Sequence, residues 1–138
     1  MTIEKYFNET RQVAIHSDFN NIHMGCIAVY KGRIIGRGYN SHKTHPMQMH
    51  YNKYRIKNND NEEIMLPKVH AEIMCLNSIK NLDIDFKKVK IFVYRIRKSQ
   101  PFGMARPCQA CMQAIIELGI KQIYYTTDHG YAQEIINR

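Results

Sequence analysis

The sequence predicts an α/β fold of three layers, in which helices cover both faces of a mixed sheet of about five strands. Two runs dense in β-branched and aromatic residues, VKIFVYRIR at 89–97 and IKQIYYTT at 120–127, indicate strands. A helical segment from Pro107 to about Leu118 joins them through short connections. A strand, a helix and a strand in this order form a right-handed parallel crossover, so we expect the last strand pair to be parallel.

The first half of the chain supplies a helix, a hairpin and a long polar segment. Apolar residues recur at helical spacing from Thr2 to about Asp18, which predicts an amphipathic first helix. The run MGCIAVYKGRIIGRGYN at 24–40 contains two β-rich stretches around a Lys-Gly-Arg turn and predicts a hairpin. Residues 41–69 are rich in His, Asn and Lys, and we expect a long loop there with a short helical piece near Met49 to Tyr54.

The second half completes the order α, β, β, α, β, α, β, α. The pattern HAEIMCLNSIK predicts a helix over 70–80, and Gly119 is placed to end the helix that Pro107 begins. The closing YAQEIINR, at 131–138, predicts a short terminal helix. The chain has no repeat and no Gly/Ser linker, so we expect a single domain over 1–138.

Composition indicates a soluble protein that binds phosphates. Of the 138 residues 44% are hydrophobic, yet no apolar run approaches the roughly 18 residues of a membrane span. The N-terminus shows neither a secretory signal nor a transit peptide, which predicts a cytoplasmic protein without a membrane partner. The net charge of +8 would attract nucleotides or nucleic acid, although scattered Lys and Arg are also typical of an ordinary solvated surface.

Two cysteines follow a proline in RPCQAC at 106–111. A disulfide, a redox couple, a metal site and core packing are all open, although a reducing compartment favours metal binding, catalysis or burial over disulfides. Cys108 and Cys111 would lie in the first turn of a helix, where the dipole lowers thiol pKa values. His70 also begins a helix and is followed by Glu72. Three ligands with a carboxylate beside them are what a hydrolytic zinc centre requires.

HAE at 70–72 and PCQAC at 107–111 resemble the H-x-E and P-C-x-x-C signature of the zinc-dependent cytidine deaminase superfamily. The resemblance implies a cytidine-deaminase-like fold and Zn²⁺ held by His70, Cys108 and Cys111. It implies Glu72 as the general acid/base of a hydrolytic deamination at carbon 4 of cytosine or carbon 6 of adenine.

One part of the superfamily is similar in more detail. After the second motif the chain runs into GIKQIYYTT without a hairpin signal, which favours the branch of deoxycytidylate, tRNA adenosine and polynucleotide-editing deaminases. This resemblance implies conversion of cytosine to uracil on a nucleotide such as deoxycytidylate, and possible homo-oligomers. The alternatives are deamination of cytosine or adenine in single-stranded DNA or RNA, and a non-catalytic zinc-stabilised nucleic-acid-binding module.

Substrate contacts are predicted around these motifs. The resemblance implies a sugar contact by Asn40, for which a turn-forming role is the alternative, and a base contact by the backbone N–H of Ala71. Tyr51 and Arg55 of the polar insert would supply stacking and phosphate contact. Arg106 would add to a basic phosphate-binding rim, as would Arg95, Arg97 and Lys98, with an ordinary solvated loop as the alternative.

The remaining histidines and cysteines have simpler interpretations. His42, His45 and His50 could hold a second metal, but their spacing fits no standard site, and solvent-facing or substrate-facing histidines fit better. Cys26 and Cys75 lie in apolar strand and helix patterns, which predicts burial in the core.

Overall fold

The computed structural model describes residues 3–19, 21–55, 67–97 and 102–137. Within these ranges five strands form one mixed sheet: β1 (His23–Tyr30), β2 (Arg33–Tyr39), β3 (Val89–Ile96), β4 (Gln122–Thr127) and β5 (Gly130–Ile135). Their order across the sheet is β2-β1-β3-β4-β5. The predicted hairpin is β1 and β2, which pair antiparallel with an irregularity between Ala28 and Val29.

Helices cover both faces of this sheet. They are α1 (Ile3–Ala14), α2 (Pro46–Tyr51), α3 (Ala71–Ile79) and α4 (Gln109–Leu118). On one face α1 buries Phe7 against Phe92, and on the other α3 and α4 enclose a larger cluster that includes Ile91 and Ile123. The predicted three-layer arrangement is therefore confirmed. No helix within the described ranges has the length and apolar content needed to cross a membrane.

The two strands on either side of α4 run in the same direction. β3 and β4 pair parallel, with Lys90 opposite Gln122 and Val93 opposite Tyr125, as the sequence predicts. Gly119 ends α4 with a φ of 99°, a left-handed conformation that costs a glycine nothing. The crossover brings the start of α4 to the end of the sheet at which β3 finishes.

The prediction of a terminal helix over 131–138 is wrong. Residues 130–135 instead form β5, which pairs antiparallel with β4. The turn at Asp128 to Gly130 places Gly130 at a φ of 152°, a backbone conformation that residues with a side chain rarely adopt. The apolar residues of this segment also fit a helical spacing, and pairing with the β4 edge decided between the two. An antiparallel strand therefore follows β4, and the branch assignment loses the support it took from the absence of such a hairpin.

A close approach between α3 and β2 sets the height of the first motif above the sheet. A Cβ added at Gly38 would meet the carbonyl oxygen of Ala71 and the backbone nitrogen of Cys75. Glycine in β2 thus lets the first turn of α3 lie directly on the strand. His70, immediately before that turn, is fixed relative to the sheet by this contact.

The short helical piece expected near Met49 to Tyr54 begins earlier than predicted. It starts at Pro46, where the fixed φ of proline suits the first helical position. His45 precedes it, and its Nδ1 accepts a hydrogen bond from the backbone nitrogen of Met47 at 3.0 Å. A turn of 3₁₀-helix over Asn52–Tyr54 continues from α2.

Candidate active site

Three side chains from two helix starts meet on one side of the sheet. The Nδ1 atom of His70 lies 3.6 Å from the Sγ atom of Cys108 and 3.3 Å from that of Cys111. Tetrahedral zinc, with Zn–S of about 2.3 Å and Zn–N of about 2.0 Å, requires an N···S separation of about 3.5 Å. The set of one imidazole and two thiols therefore fits zinc in both chemistry and spacing.

The backbone explains why these side chains are available. His70 and Cys108 are the N-cap residues of α3 and α4, with extended backbones at φ, ψ of −83°, 158° and −66°, 171°. Neither side chain caps its own helix. The sequence predicts Cys108 in the first turn of the helix, whereas the structure places it one position before that turn. Both caps leave a ligand atom free to face the other helix.

A buried glutamine from the polar insert fixes the first of these caps. Gln48 of α2 is 0% exposed, and its Oε1 accepts the backbone N–H of His70 at 3.0 Å. Its Nε2 donates to Oδ1 of Asn52 at 2.8 Å. The sequence interpretation missed Gln48, although a glutamine between two methionines of a short helix was a signal of a buried polar contact.

The three groups differ in protonation in the metal-free protein. Hydrogen bonding from Cys111, aided by His70, lowers the pKa of the Cys108 thiol to about 3 against the opposing effect of burial. Burial raises the pKa of Cys111 well above its ordinary value. Burial also acts to lower the pKa of His70, but the hydrogen bond with Cys108 and the charge of Glu72 leave it raised. A metal ion bound here would hold both sulfurs as thiolates.

Glu72 lies in the first turn of α3, two residues after His70, and is 3% exposed. Burial raises the pKa of this carboxyl to about 7, an effect that the neighbouring His70 partly opposes. A carboxyl that titrates near neutrality is suited to take up and release a proton during a reaction.

A cavity of about 410 Å³ opens above Glu72, His70 and Cys108. Four of the five predicted substrate contacts line it, namely Asn40, Arg55, Ala71 and Arg106. The fifth, Tyr51, is not in this lining, and its hydroxyl donates to Oε1 of Glu117 at 3.3 Å. The structure therefore brings most of the predicted site together around one cavity.

Asn40 also has a structural role. Its Oδ1 accepts hydrogen bonds from the Ser17 hydroxyl and, at 2.9 Å, from the backbone nitrogen of Met24. Its Nδ2 donates to the carbonyl oxygen of Ile22 at 3.0 Å. The segment after α1, the start of β1 and the end of β2 are joined through this one amide.

Four cationic side chains line the cavity: Arg55, Lys68, Arg95 and Arg106. Among the described lining residues, Glu72 is the one acidic group. The Nε atom of Arg95 is buried without a hydrogen-bond partner among the described residues. Such a donor is suited to an anionic ligand, because leaving it unpaired costs free energy.

Arg106 is held in place from the C-terminal strand. Its Nε and one Nη donate to the two carboxylate oxygens of Glu134, at 2.8 and 3.0 Å. The hydroxyl of Tyr125 donates to the same carboxylate at 3.1 Å. A paired, planar contact of this kind fixes the orientation of the guanidinium.

Of the predicted basic rim, Arg95 and Arg106 line the cavity. Arg97 pairs with Asp128 at 3.3 Å and does not line the cavity. Lys98 lies outside the described residues.

Phe19 was not predicted as a site residue, yet it lines the cavity. Its ring stacks on His42, with centroids 4.4 Å apart and planes at 13°. The ammonium of Lys68 lies 5.7 Å from its centroid. Phe19 follows α1 in a polar segment, and only the fold brings it to the mouth of the site.

The insert histidines take separate contacts. His42 stacks on Phe19, His45 caps α2, and the ring of His50 meets Tyr51 edge-on with centroids 4.7 Å apart. Within the described ranges, the group with metal-binding geometry is the one formed by His70 and the two motif cysteines. Cys26 and Cys75 are each 0% exposed, which confirms their predicted burial.

A His-Cys-Cys group beside a buried glutamate, at two helix starts over a mixed sheet, defines the class of zinc-site deaminases. Residues 1–127 match the family described as the cytidine and deoxycytidylate deaminase zinc-binding region, and the chain belongs to this family. No curated protein matches the chain by sequence.

Solved structures of two deaminases have the same fold. The dCMP deaminase of cyanophage S-TIM5 in apo form aligns with a TM-score of 0.61 at 20% identity, over 92% of this chain and 86% of that chain. The cytidine deaminase of Burkholderia pseudomallei aligns with a TM-score of 0.63 at 18% identity, over 98% of this chain and 93% of that chain. The predicted cytidine-deaminase-like fold is thereby confirmed.

Proposed function

We propose that the protein is a zinc-dependent hydrolytic deaminase that converts cytosine to uracil on a nucleotide such as deoxycytidylate. The observation that carries this proposal is the position of Glu72, buried at the floor of a cation-lined cavity beside a ligand set that fits zinc. Family membership supports deaminase chemistry, and the lining charges support a phosphorylated substrate.

His70, Cys108 and Cys111 would hold Zn²⁺, which would supply Lewis-acid activation of a water molecule. Glu72 takes one proton of the attacking water and delivers it to the ring nitrogen N3 of cytosine while the oxygen bonds to carbon 4. It then moves the remaining proton of the new hydroxyl to the amino group, and the bond between carbon 4 and that nitrogen breaks to release ammonia. In the metal-free protein burial raises the pKa of this carboxyl to about 7, and a bound cation beside it would favour the ionised form that accepts a proton.

Ala71 lies between the ligand and the acid and lines the same cavity while being 1% exposed. Its methyl group leaves room for a flat ring above the first turn of α3. The backbone N–H of Ala71, in the first turn of a helix, has no intrahelical partner and would be a donor to the base.

Arg95 supports a substrate that carries a phosphate. Its buried Nε lacks a partner among the described residues, and Lys68 and Arg55 line the same cavity. The cyanophage dCMP deaminase has also been solved in complex with dCMP and dUMP, with a TM-score of 0.61 to this chain and coverage of 84% of that chain. A free nucleotide is for this reason preferred over a nucleoside.

A non-catalytic zinc-stabilised module is the competing function. Burying a carboxyl costs free energy, and a structural zinc site gains nothing from one two residues after its ligand. Glu72 therefore favours the enzyme.

The test is ammonia release by zinc-loaded protein from cytidine, cytidylate, deoxycytidylate and deoxyadenylate, with the deaminated nucleoside or nucleotide identified in each case. We expect turnover of deoxycytidylate at least about 100-fold faster than by the Glu72→Ala variant. Equal rates for the native protein and the variant on every substrate would refute the enzyme. Turnover of deoxyadenylate alone would refute the assignment of cytosine.

A further inference from the structure

A second cavity adjoins the first on the outer side of α4. It also measures about 410 Å³ and is lined by Tyr54, Gln109, Met112, Gln113, Ile116 and Arg106. Arg106 lines both cavities. Neither the catalytic groups nor the proposed base and phosphate contacts account for the second cavity.

We propose that this second cavity is a subsite for a further nucleotide unit, with its base against Tyr54 and its phosphate at Arg106. This inference rests on the proposed function in one respect: it assumes that the deaminated base binds in the first cavity. The proposed occupant of the subsite is a neighbouring nucleotide that is joined to the first nucleotide through a phosphodiester. The same chemistry, a base with a phosphate, could also come from a separate nucleotide.

The lining offers a base an aromatic and apolar surface. Tyr54 is 38% exposed, and the ammonium of Lys53 lies 5.2 Å from its ring centroid. Bases stack on such exposed rings irrespective of sequence, and a nearby cation adds attraction for a phosphate. Met112 and Ile116, one turn apart on α4, supply the apolar floor.

Charge complementarity favours an anion at the junction. Two of the guanidinium nitrogens of Arg106 donate to Glu134, which fixes the group while leaving N–H donors for another acceptor. The described lining of the second cavity contains no acidic residue. A phosphate that bridges the two cavities would accept from the N–H groups of Arg106 that Glu134 leaves unused, against partial repulsion from that carboxylate.

Two amides stand where the edge of a base would lie. Gln109 and Gln113 are four residues apart on α4 and so share one face of the helix. Nε2 of Gln113 donates to Oε2 of Glu117 at 3.0 Å, which orients its amide. Gln109 directly follows Cys108, so the subsite begins one residue from the metal site. A unit bound there would be next to the reacting base.

The experiment compares affinities on the zinc-loaded Glu72→Ala protein, so that ligands are not consumed. The probes are deoxycytidylate, dinucleotides of deoxycytidine and deoxyadenosine in both orders, and an unlinked mixture of deoxycytidylate and deoxyadenylate. We expect at least one dinucleotide to bind about tenfold more tightly than deoxycytidylate. In Tyr54→Ala that ratio should fall to about one, and Tyr54→Phe, which keeps the ring, should preserve it.

A ratio near one for both dinucleotides and for the mixture would overturn the subsite, as would a ratio unchanged by Tyr54→Ala. If the unlinked mixture reproduces the gain and Tyr54→Ala removes it, the subsite holds and its natural occupant is a separate nucleotide. Failure of the proposed function has a different readout, namely no release of ammonia from any of these ligands by the native protein. The affinity ratio remains measurable in that case.

Discussion

The side-chain carbonyl of Gln48 accepts the backbone N–H of His70 at 3.0 Å, in the interior of the protein. A helix of the long polar insert is thereby attached to the first candidate zinc ligand. The insert thus has a structural role at the site beyond any contact with substrate. Mutating a group that orients a metal ligand typically costs about 10–100-fold in metal affinity or activity.

Replacing Gln48 by Ala should weaken zinc binding by about tenfold and lower the free energy of unfolding by about 1–3 kcal/mol. The substitution leaves the backbone N–H of His70 and the side chain of Asn52 without partners. Competition with a chromogenic chelator measures the affinity. Gln12→Ala, at an exposed position of α1, is the matched control and should change neither value. Unaltered zinc affinity in Gln48→Ala would contradict this role.

Glu72→Gln should lower kcat by about 100-fold or more while the protein still binds one zinc ion. The amide keeps the shape of the side chain but cannot carry a proton. Metal analysis of the purified variant and the rate of ammonia release from deoxycytidylate give the two readouts. A variant that lacks both zinc and activity would point instead to a structural role of the carboxylate.

Cys111→Ser should abolish the thermal stabilisation that zinc gives to the native protein. A ligand that binds the folded state alone stabilises it by about 4 kcal/mol at a thousand times its Kd. Calorimetry of metal-free protein with and without added zinc measures this increment. Cys75→Ser provides a control, because it removes a buried thiol that is outside the predicted ligand set. That control should lose stability yet keep its response to zinc.

Arg95→Gln should raise KM for deoxycytidylate by about tenfold and leave KM for cytidine within about twofold. A hydrogen bond to a charged group contributes about 1.5–3 kcal/mol, and the nucleoside lacks the phosphate that would receive it. Steady-state kinetics on both substrates give the comparison. Equal changes for cytidine and deoxycytidylate would place the role of Arg95 elsewhere than at the phosphate.

The pKa of Glu134 should rise toward its ordinary value in Arg106→Gln. Hydrogen bonds from Arg106 lower the pKa of this carboxyl, with a smaller contribution from Tyr125. Because the folded value lies below the unfolded one, the pairing stabilises the protein above the ordinary glutamate pKa and is lost as the pH falls through the lowered value. The pair is partly exposed and contributes little to stability. Carbon-detected NMR titration of the Glu134 carboxyl in both proteins measures the difference.

The local parts of the site could be predicted from the sequence because each lies at a helix start. His70, Glu72 and the two motif cysteines have spacings that the backbone fixes within a few residues. Gln48, Phe19 and Lys68 reach the site through the path of the polar insert and of the segment after α1. No local pattern carries that information.

The terminal strand shows a different limit of prediction from sequence. Tyr131, Ala132, Ile135 and Ile136 suit one face of a helix as well as they suit a strand. The free edge of β4, to which Gln133 and its neighbours pair, decided the outcome. A competition between a short helix and an open sheet edge depends on tertiary structure, which the sequence of eight residues does not contain.

The hydrogen bonds of Asn40 have a practical consequence for protein engineering. A library that randomises the cavity to change substrate preference should leave Asn40 fixed, because its amide makes hydrogen bonds to three chain segments, and all of these would be lost together. Phe19 and Lys68 can be varied more freely, since the structure shows them in contact with each other at the mouth of the cavity. A new specificity is therefore more accessible from the rim of this pocket than from its asparagine.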